Sequence, residues 1–507
     1  MFDSIMSATV IVFAFIFIVS AILLGGRKVR KDGERVLPSP STIPILGNLH
    51  MLGKLPHHTL EALAKRYGPI MFLKLGQVPT IVVSSADSAE NFLKSHDHVF
   101  SSRPTHEANT YLDYGTGGLA FSKYGAYWSN MRKFCTIQLL SASKVDSFEP
   151  LRKKELQQAV NFLQKAAMDG RVVDLSEVEH NVIEDFVYKM VLGRNKDGEF
   201  DLKGLIQKQH NLLGAFNIAD YVPWLGLLDL QGLKREFKKT SKALDLMLEK
   251  IIKEHERVDV QNGQHEDFVD ILLSLMHQPL NPYDEQSQII ERTNIKAILL
   301  DMIAGAFETA ATIVEWALAE LLRDPRVMKN LQDELDNVVG RNRLVEESDL
   351  EKLSYLDIVI KETFRLHPAG PLVPRESIED ATVHGYFIKK NTSVLINLRA
   401  IGRDPKIWSD NAEMFYPERF INNSLDYRGH NLQFIPFGFG RRGCPGMLLG
   451  LTTVKLVVAQ LMHCFSWELP GNLASEELDM TEKFGLTTPR LHHLLAVPTY
   501  RLLSQAI

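Results

Sequence analysis

Hydrophobic residues along this chain recur mostly at a helical period. Phe237, Leu244, Leu248 and Ile251 are spaced by seven, four and three positions, with lysine and glutamate prominent between them. That pattern predicts an amphipathic helix with one buried face. Asp324-Pro325 reads as an N-cap followed by proline at the first helical position. Ser354 with Asp357 has the form of a capping box, opening a helix that runs to His367 and stops before Pro368. Strand signals are few: residues 76–84 predict a turn feeding a strand, and residues 394–398 predict another. The sequence shows no internal repeat and no low-complexity tract. The expected architecture is mainly α with a small β region, in one large domain.

The N-terminus adds a different element. Residues 5–24 are 20 positions without a charge, enough at about 1.5 Å each to cross a hydrocarbon layer of about 30 Å. Asp3 precedes the stretch, and Arg27, Lys28, Arg30 and Lys31 follow it, which orients the C-terminal side toward the cytosol. A cleaved signal peptide fits less well, because no basic region precedes the apolar run. The expected organisation is a transmembrane signal anchor over residues 1–26, a basic, proline-rich hinge over 27–48 and a catalytic domain over 49–507. Sequons at Asn391 and Asn422 would carry sugar only if the body faced a secretory lumen.

Composition narrows the function. Fifty-seven basic and 62 acidic side chains leave a net charge of −5, a poor match to a phosphate backbone, so no nucleic-acid partner is expected. The three cysteines, Cys135, Cys444 and Cys464, are too few for a disulfide framework, an iron-sulfur cluster or an all-thiolate zinc site.

Chemistry concentrates in residues 436–446, Pro-Phe-Gly-Phe-Gly-Arg-Arg-Gly-Cys-Pro-Gly. The string Gly438-x-Gly440-x-x-Gly443 matches a dinucleotide fingerprint literally. That reading needs a helix opening at the third glycine and an acid about 20 residues on. Pro445 and Gly446 break the first condition, and residues 460–466 hold no acid. The alternative places Cys444 at the N-terminus of the apolar run 447–462, where unsatisfied amides favour a thiolate. A single thiolate ligand suits haem iron, because the porphyrin already supplies four nitrogens. Cys135 and Cys464 read as buried structural cysteines.

Phe437-x-x-Gly440-x-Arg442-x-Cys444-x-Gly446 resembles the haem-binding loop of the cytochrome P-450 monooxygenases, and the match with Leu366-His367-Pro368 is most similar to plant microsomal members. The resemblance implies the P-450 fold and haem b, with Cys444 as axial iron ligand, Phe437 keeping the sulfur dry, Gly446 in the loop and Arg442 on a haem propionate. Trp128 and Arg132, four apart, read alone as an amphipathic helix face; the family's Trp-x-x-x-Arg pair implies a propionate role, with His367 and Arg375 as further partners. Glu362 and Arg365, three apart, read alone as a surface ion pair. Followed by Arg419, they resemble the family's structural Glu-Arg-Arg network.

Residues 297–322 hold the acids Asp301, Glu308, Glu315 and Glu320 and no base. Four acids at about 2.5–3.5 kcal/mol each exclude a membrane span, so an interior helix is expected. The stripe Asp301, Glu308, Glu315 alone reads as a solvated edge. Residues 304–309, Ala-Gly-Ala-Phe-Glu-Thr, resemble the family's oxygen-activating helix. There Thr309 and Glu308 would loosen the helix and relay protons to the dioxygen being reduced. Ala306 and Ala310 depart from the family's usual glycine and hydroxyl residue, which bears on coupling.

The implied activity is NADPH- and O2-dependent hydroxylation of a small lipophilic plant specialised metabolite such as a terpenoid or phenolic. The expected pocket draws on Ala304, Leu372, Val373, Leu486 and Thr487. An NADPH-cytochrome reductase would supply electrons, docking near Lys133 and Arg441. The expected location is the endoplasmic reticulum membrane, single-pass, contacting lipid through the N-terminal helix, with the catalytic domain in the cytosol. Alternatives are a haem-thiolate isomerase or dehydratase needing no reductase, a haem-binding protein without turnover and, remotely, a nicotinamide dehydrogenase.

Overall fold

The computed structural model describes residues 35–503 apart from 116, 195–200, 258–266, 282 and 284–286. The expected membrane anchor therefore lies outside the described residues, as do the first eight residues of the expected hinge, 27–34. The described end of the hinge is tied to the body: Phe72 donates to Pro38 O at 2.8 Å and Asn48 to Lys74 O at 2.7 Å.

The helices that build the site are α1 (Pro56–Tyr67), α2 (Ala126–Gln138), α3 (Glu149–Met168), α4 (Leu175–Leu192), α5 (Leu202–Leu213) and α6 (Leu233–His255), followed by α7 (Arg292–Arg323), α8 (Pro325–Val338), α9 (Ser354–Leu366) and α10 (Met447–Cys464). In α6 the predicted residues Phe237, Leu244, Leu248 and Ile251 are all buried. Asp324 caps α8 as its sequence predicts, accepting from the amides of Arg326 and Val327. The start of α9 differs from expectation. No side chain of its own caps it; Glu334 of α8 accepts from Tyr355 N at 2.6 Å and from Leu356 N at 2.9 Å. A carboxylate from a neighbouring helix satisfies the orphan amides that a local cap would have taken.

Helices α7 and α10 are apolar and long enough to cross a membrane, yet both are core helices. Ile298, Ile303, Val314 and Leu318 of α7 belong to the same buried cluster as Val454, Val458 and Leu461 of α10. The acids of α7 keep it amphipathic enough for a protein interior and unsuited to lipid.

The largest sheet among the described residues has four strands. Strands β1 (Ile70–Leu75), β2 (Val78–Val83), β3 (Leu372–Glu376) and β4 (Ser393–Asn397) are ordered β1-β2-β4-β3. The β1–β2 pair is antiparallel, β2 runs parallel to β4, and β3 runs antiparallel to β4. Both predicted strands are present, as β2 and β4. Strand β3 has the more consequential position, because it presents Leu372, Val373 and Arg375 at the edge of the helical core.

Candidate functional site

The cysteine loop is shaped by two left-handed glycines, Gly438 at φ 73° and Gly440 at φ 67°, a conformation that side-chain-bearing residues adopt only at a cost. They return the chain so that Cys444 N donates to Phe437 O at 2.7 Å. Gly446 is the N-cap of α10, and its amide bonds the Cys444 sulfur. Phe437 packs on Phe364 at 5.1 Å between ring centroids and shields the loop. A Cβ at Gly440 would lie 2.5 Å from Asp97 Oδ1 and 3.2 Å from Leu93 O. Gly440→Ala should therefore destabilise the loop by about 1–2 kcal/mol, read as a lower urea midpoint and weaker haem retention; an unchanged midpoint would remove the conformational argument.

The three cysteines separate by access. Cys135 and Cys464 are buried, whereas Cys444 retains accessible surface. Even so, burial raises the Cys444 thiol, against the Gly446 amide and the Arg132 guanidinium. Accessible surface together with strong desolvation is the signature of a group lining an enclosed interior space. A thiolate here calls for a cation at the sulfur, which a ferric porphyrin provides.

Arginines collect near this loop. Arg442 lies 3.8 Å from the centroid of Trp128 and Arg132 lies 5.7 Å from it. Arg132 donates to Gly443 O at 2.6 Å, and Arg442 to Ser101 O at 2.8 Å and Ser122 O at 2.6 Å, which leaves its other terminal nitrogen buried without a partner. Arg375 is 2% exposed and has one weak contact, to Pro374 O at 3.4 Å. Burial and the charges of Arg103, Arg442 and Arg132 push Arg375 well below the usual guanidinium range. Burial brings Arg103 down to about 10, and burial with the neighbouring arginines brings Arg442 to about 9. Among the described residues no carboxylate pairs with any of these four. Uncompensated buried cations are costly, and the two propionates of a haem are the kind of anion this cluster fits.

Two expected propionate partners behave otherwise. The Trp128 indole N–H is committed to Leu119 O at 3.0 Å, so the ring serves as a platform for two guanidiniums rather than as a free donor. His367 Nδ1 is buried without a partner. Its Nε2 lies 2.7 Å from Glu320 Oε1 and its ring stacks on Trp316 at 4.0 Å, which leaves this nitrogen no capacity for a second anion. Arg103 was not legible beforehand. Its neighbours Ser102 and Pro104 carry no periodic signal, and only the chain's return beside β3 brings it to Arg375.

Helix α7 runs unbroken through the expected oxygen-activating segment, and Thr309 Oγ1 donates to Gly305 O at 2.6 Å. A hydroxyl bonded to the carbonyl four residues back competes with the helix's own ladder at this point. Ala304, Gly305, Ala306 and Thr309 keep accessible surface in a helix that is otherwise largely buried, and a Cβ at Gly305 would meet nothing within 4 Å. This face borders interior space. The acids correct the solvated-edge reading: Glu308 is 4% exposed and Glu315 3%. Asp301 bonds the buried Asp113, and burial with the neighbouring charge raises the Asp113 carboxyl well above its usual range. One proton shared by the pair tethers the loop before α2 to α7.

The expected pocket residues approach from several elements. Leu372 packs in one cluster with Phe216 and Tyr221, and Val373 beside it is half-buried. The Ala304 carbonyl accepts from the His210 ring. The segment carrying Leu486 and Thr487 closes on the end of α5, where a Cβ at Gly214 would lie 2.4 Å from Leu486 N. Thr488 N then donates to Ala369 O at 3.1 Å, near the start of β3.

Below the loop, Arg365 meets both Glu362 oxygens, at 2.7 and 2.8 Å, and Arg419 meets Glu362 Oε1 at 2.9 Å. Arg365 also donates to Gly402 O, Ala412 O and Met414 O. This network joins α9 to the segment that leads into the cysteine loop.

The family model Cytochrome P450 matches residues 37–495. The chain is 53% identical over 473 residues to Cytochrome P450 CYP736A12 of Panax ginseng, covering 93% of this chain and 95% of that one. It is 42% identical to Cytochrome P450 71A1 of Persea americana, over 87% of this chain and 89% of that one. A solved zebra fish cytochrome P450 with abiraterone superposes with a TM-score of 0.72 at 26% identity, covering 88% of this chain and all of its own. With an accessible thiol at a helix N-terminus, an unpaired guanidinium cluster and an open stretch of α7, the chain belongs to the cytochrome P450 family and is a haem-thiolate monooxygenase.

Proposed function

We propose that Cys444 is the axial ligand of haem b in an NADPH- and O2-dependent hydroxylase of a small lipophilic plant specialised metabolite, of the terpenoid or phenolic class. The observation that carries this reading is the accessible Cys444 sulfur, bonded by the Gly446 amide. When bound, haem supplies the thiolate-ligated iron at which dioxygen is activated for insertion into a C–H bond.

The chain's own residues orient and dry that chemistry. Arg103, Arg132, Arg375 and Arg442 would hold the propionates, with Trp128 fixing two of the guanidiniums. Ala304, Leu372, Val373, Leu486 and Thr487 would exclude water around an apolar substrate. Oxygen splitting consumes protons in this dry space, and Thr309 and Glu308 are placed to deliver them. The Thr309 hydroxyl, bonded to Gly305 O, would turn to orient the donor, and Glu308 Oε1, buried without a partner, would resupply it. An accessible Thr309 also favours oxygen splitting over a reductase-independent isomerase or dehydratase.

An NADPH-cytochrome reductase is the electron donor, its acidic face meeting the exposed Lys133 and Arg441; Arg441 is half-engaged already by Asp97 at 3.0 Å. The N-terminal segment would hold the enzyme in the endoplasmic reticulum membrane with its body in the cytosol. The test is a lipophilic metabolite panel screened for substrate-induced spin-state shifts, then for NADPH-dependent product with added reductase. Hydroxylated product supports the reading; turnover without NADPH contradicts it. Thr309→Ala should retain haem and substrate binding while diverting most reducing equivalents to peroxide, a loss of about tenfold or more in product per NADPH. Tightly coupled turnover in that variant would remove the proton-relay role.

A further inference from the structure

We propose that His57 and His58 of α1, together with Glu482, form a binding site for one divalent metal ion of the zinc class. The ion would fasten α1 to the base of the hairpin that carries Leu486 and Thr487. The site shares no residue with the cysteine loop or the guanidinium cluster, and the inference does not depend on the substrate reading.

The two histidines follow Pro56 in the first turn of α1. Successive residues of a helix point about 100° apart, so their rings converge only because both turn to one partner. Each Nε2 lies 2.7 Å from the same oxygen, Glu482 Oε2, and the rings meet edge-on at 4.6 Å between centroids. Neighbours hold this arrangement. Asn397 at the end of β4 donates to His57 O at 2.9 Å, and Phe484 stacks on the His57 ring at 6.0 Å. Glu482 pairs with Arg490 across the hairpin, where Lys483 N donates to Pro489 O at 2.9 Å. Its other oxygen, Oε1, lies 3.4 Å from Arg399 Nη1, and Arg399 Nε lies 3.1 Å from Glu61 Oε2. The guanidinium thus keeps Oε2 turned toward the imidazoles, as the outer partners of a ligating carboxylate do.

The donor set selects the ion. Two imidazole nitrogens and one carboxylate oxygen are a set that zinc takes from protein, with water in the fourth position, whereas magnesium and calcium favour oxygen. The three ligand atoms lie within 4.8 Å of one another. A tetrahedral ion about 2.0–2.2 Å from each wants them about 3.3 Å apart, so each imidazole backs away by roughly half an ångström. The side chains of His57 and Glu482 are 1% and 11% exposed, but that of His58 is 38% exposed, which supplies an entry path and an open position. Binding moves each ring proton from Nε2 to Nδ1, and with the carboxyl ionised at neutral pH none is released.

Two features limit the affinity. His57 Nδ1 is buried without a partner, where a ligating imidazole ordinarily donates to an outer acceptor, and Arg399 adds a nearby positive charge. A Kd of about 1 μM is therefore expected, weaker than a structural zinc site. The other such cluster among the described residues, His255 with Asp267 and Asp270, offers a single imidazole and serves as the control.

The experiment takes the full-length holoenzyme, strips adventitious metal with a chelator, and titrates Zn2+ against a chromophoric competitor, with haem quantified separately. One zinc per chain should bind. His58→Gln and Glu482→Gln should each weaken it by at least about tenfold, while His255→Gln leaves it unchanged. Zinc-edge X-ray absorption of the loaded protein should show two imidazoles and oxygen at about 2.0–2.2 Å, and excess Mg2+ should not displace the ion. His58 is the ligand to replace first, because its loss leaves His57 packed on Phe484. Should a variant fail to retain haem, X-ray absorption of the wild type decides, and a shell without two imidazoles overturns the site. No saturable binding by about 100 μM Zn2+, a hundred times the expected Kd, would also overturn it. So would equal affinity in wild type, His58→Gln and Glu482→Gln.

Discussion

Cys444→Ala should abolish the thiolate-type carbon monoxide spectrum and reduce NADPH-dependent product to the background of free haem. Of the three cysteines, only Cys444 has accessible surface, so neither Cys135 nor Cys464 can take its place. The loss is expected to be spectroscopic and catalytic before it is structural, because Cys444 N keeps its bond to Phe437 O whatever side chain the residue carries. The arginine cluster should still hold haem weakly through its propionates. An unchanged spectrum in this variant would refute the ligand assignment outright.

The second large effect falls on stability. Glu362→Ala strands Arg365 and Arg419, whose side chains are 0% and 9% exposed, and removes the anion they share. Breaking a buried ion network by deleting one partner costs about 3–5 kcal/mol, because the remaining charges stay buried and unpaired. The measured consequence should be a lower urea midpoint with loss of haem, since the network anchors the segment before the cysteine loop. Glu362→Gln retains the shape and some hydrogen bonding and should lie between wild type and alanine. A midpoint within about 0.5 kcal/mol of wild type for the alanine variant, the range of ordinary surface substitutions, would show that the network is dispensable.

What was readable beforehand was local. The period of α6, the proline start of α8 and the glycine spacing around Cys444 are properties of a few adjacent residues, and each survives in the fold. The Glu362–Arg365 pair was visible by spacing, but its burial was not, because the carbonyls of Gly402, Ala412 and Met414 that satisfy Arg365 arrive from a distant segment. The same reason hid Arg103, the carboxyl pair of Asp113 and Asp301, and the cap that Glu334 provides for α9. Proximity in sequence to a functional helix likewise said nothing about the direction of the His367 ring, whose Nε2 meets Glu320 and whose face stacks on Trp316. The acidic stripe of α7 likewise looked solvated until α4 and the C-terminal segment were seen to cover it.

The central claim is that the Cys444 sulfur, anionic and bonded by the Gly446 amide, binds haem iron. The most direct measurement is the carbon monoxide difference spectrum of the reduced full-length protein, purified from cells well supplied with haem. The account predicts a thiolate-type band. A folded protein that is colourless, or that gives only the band of a neutral-thiol or histidine-ligated haem, would contradict it.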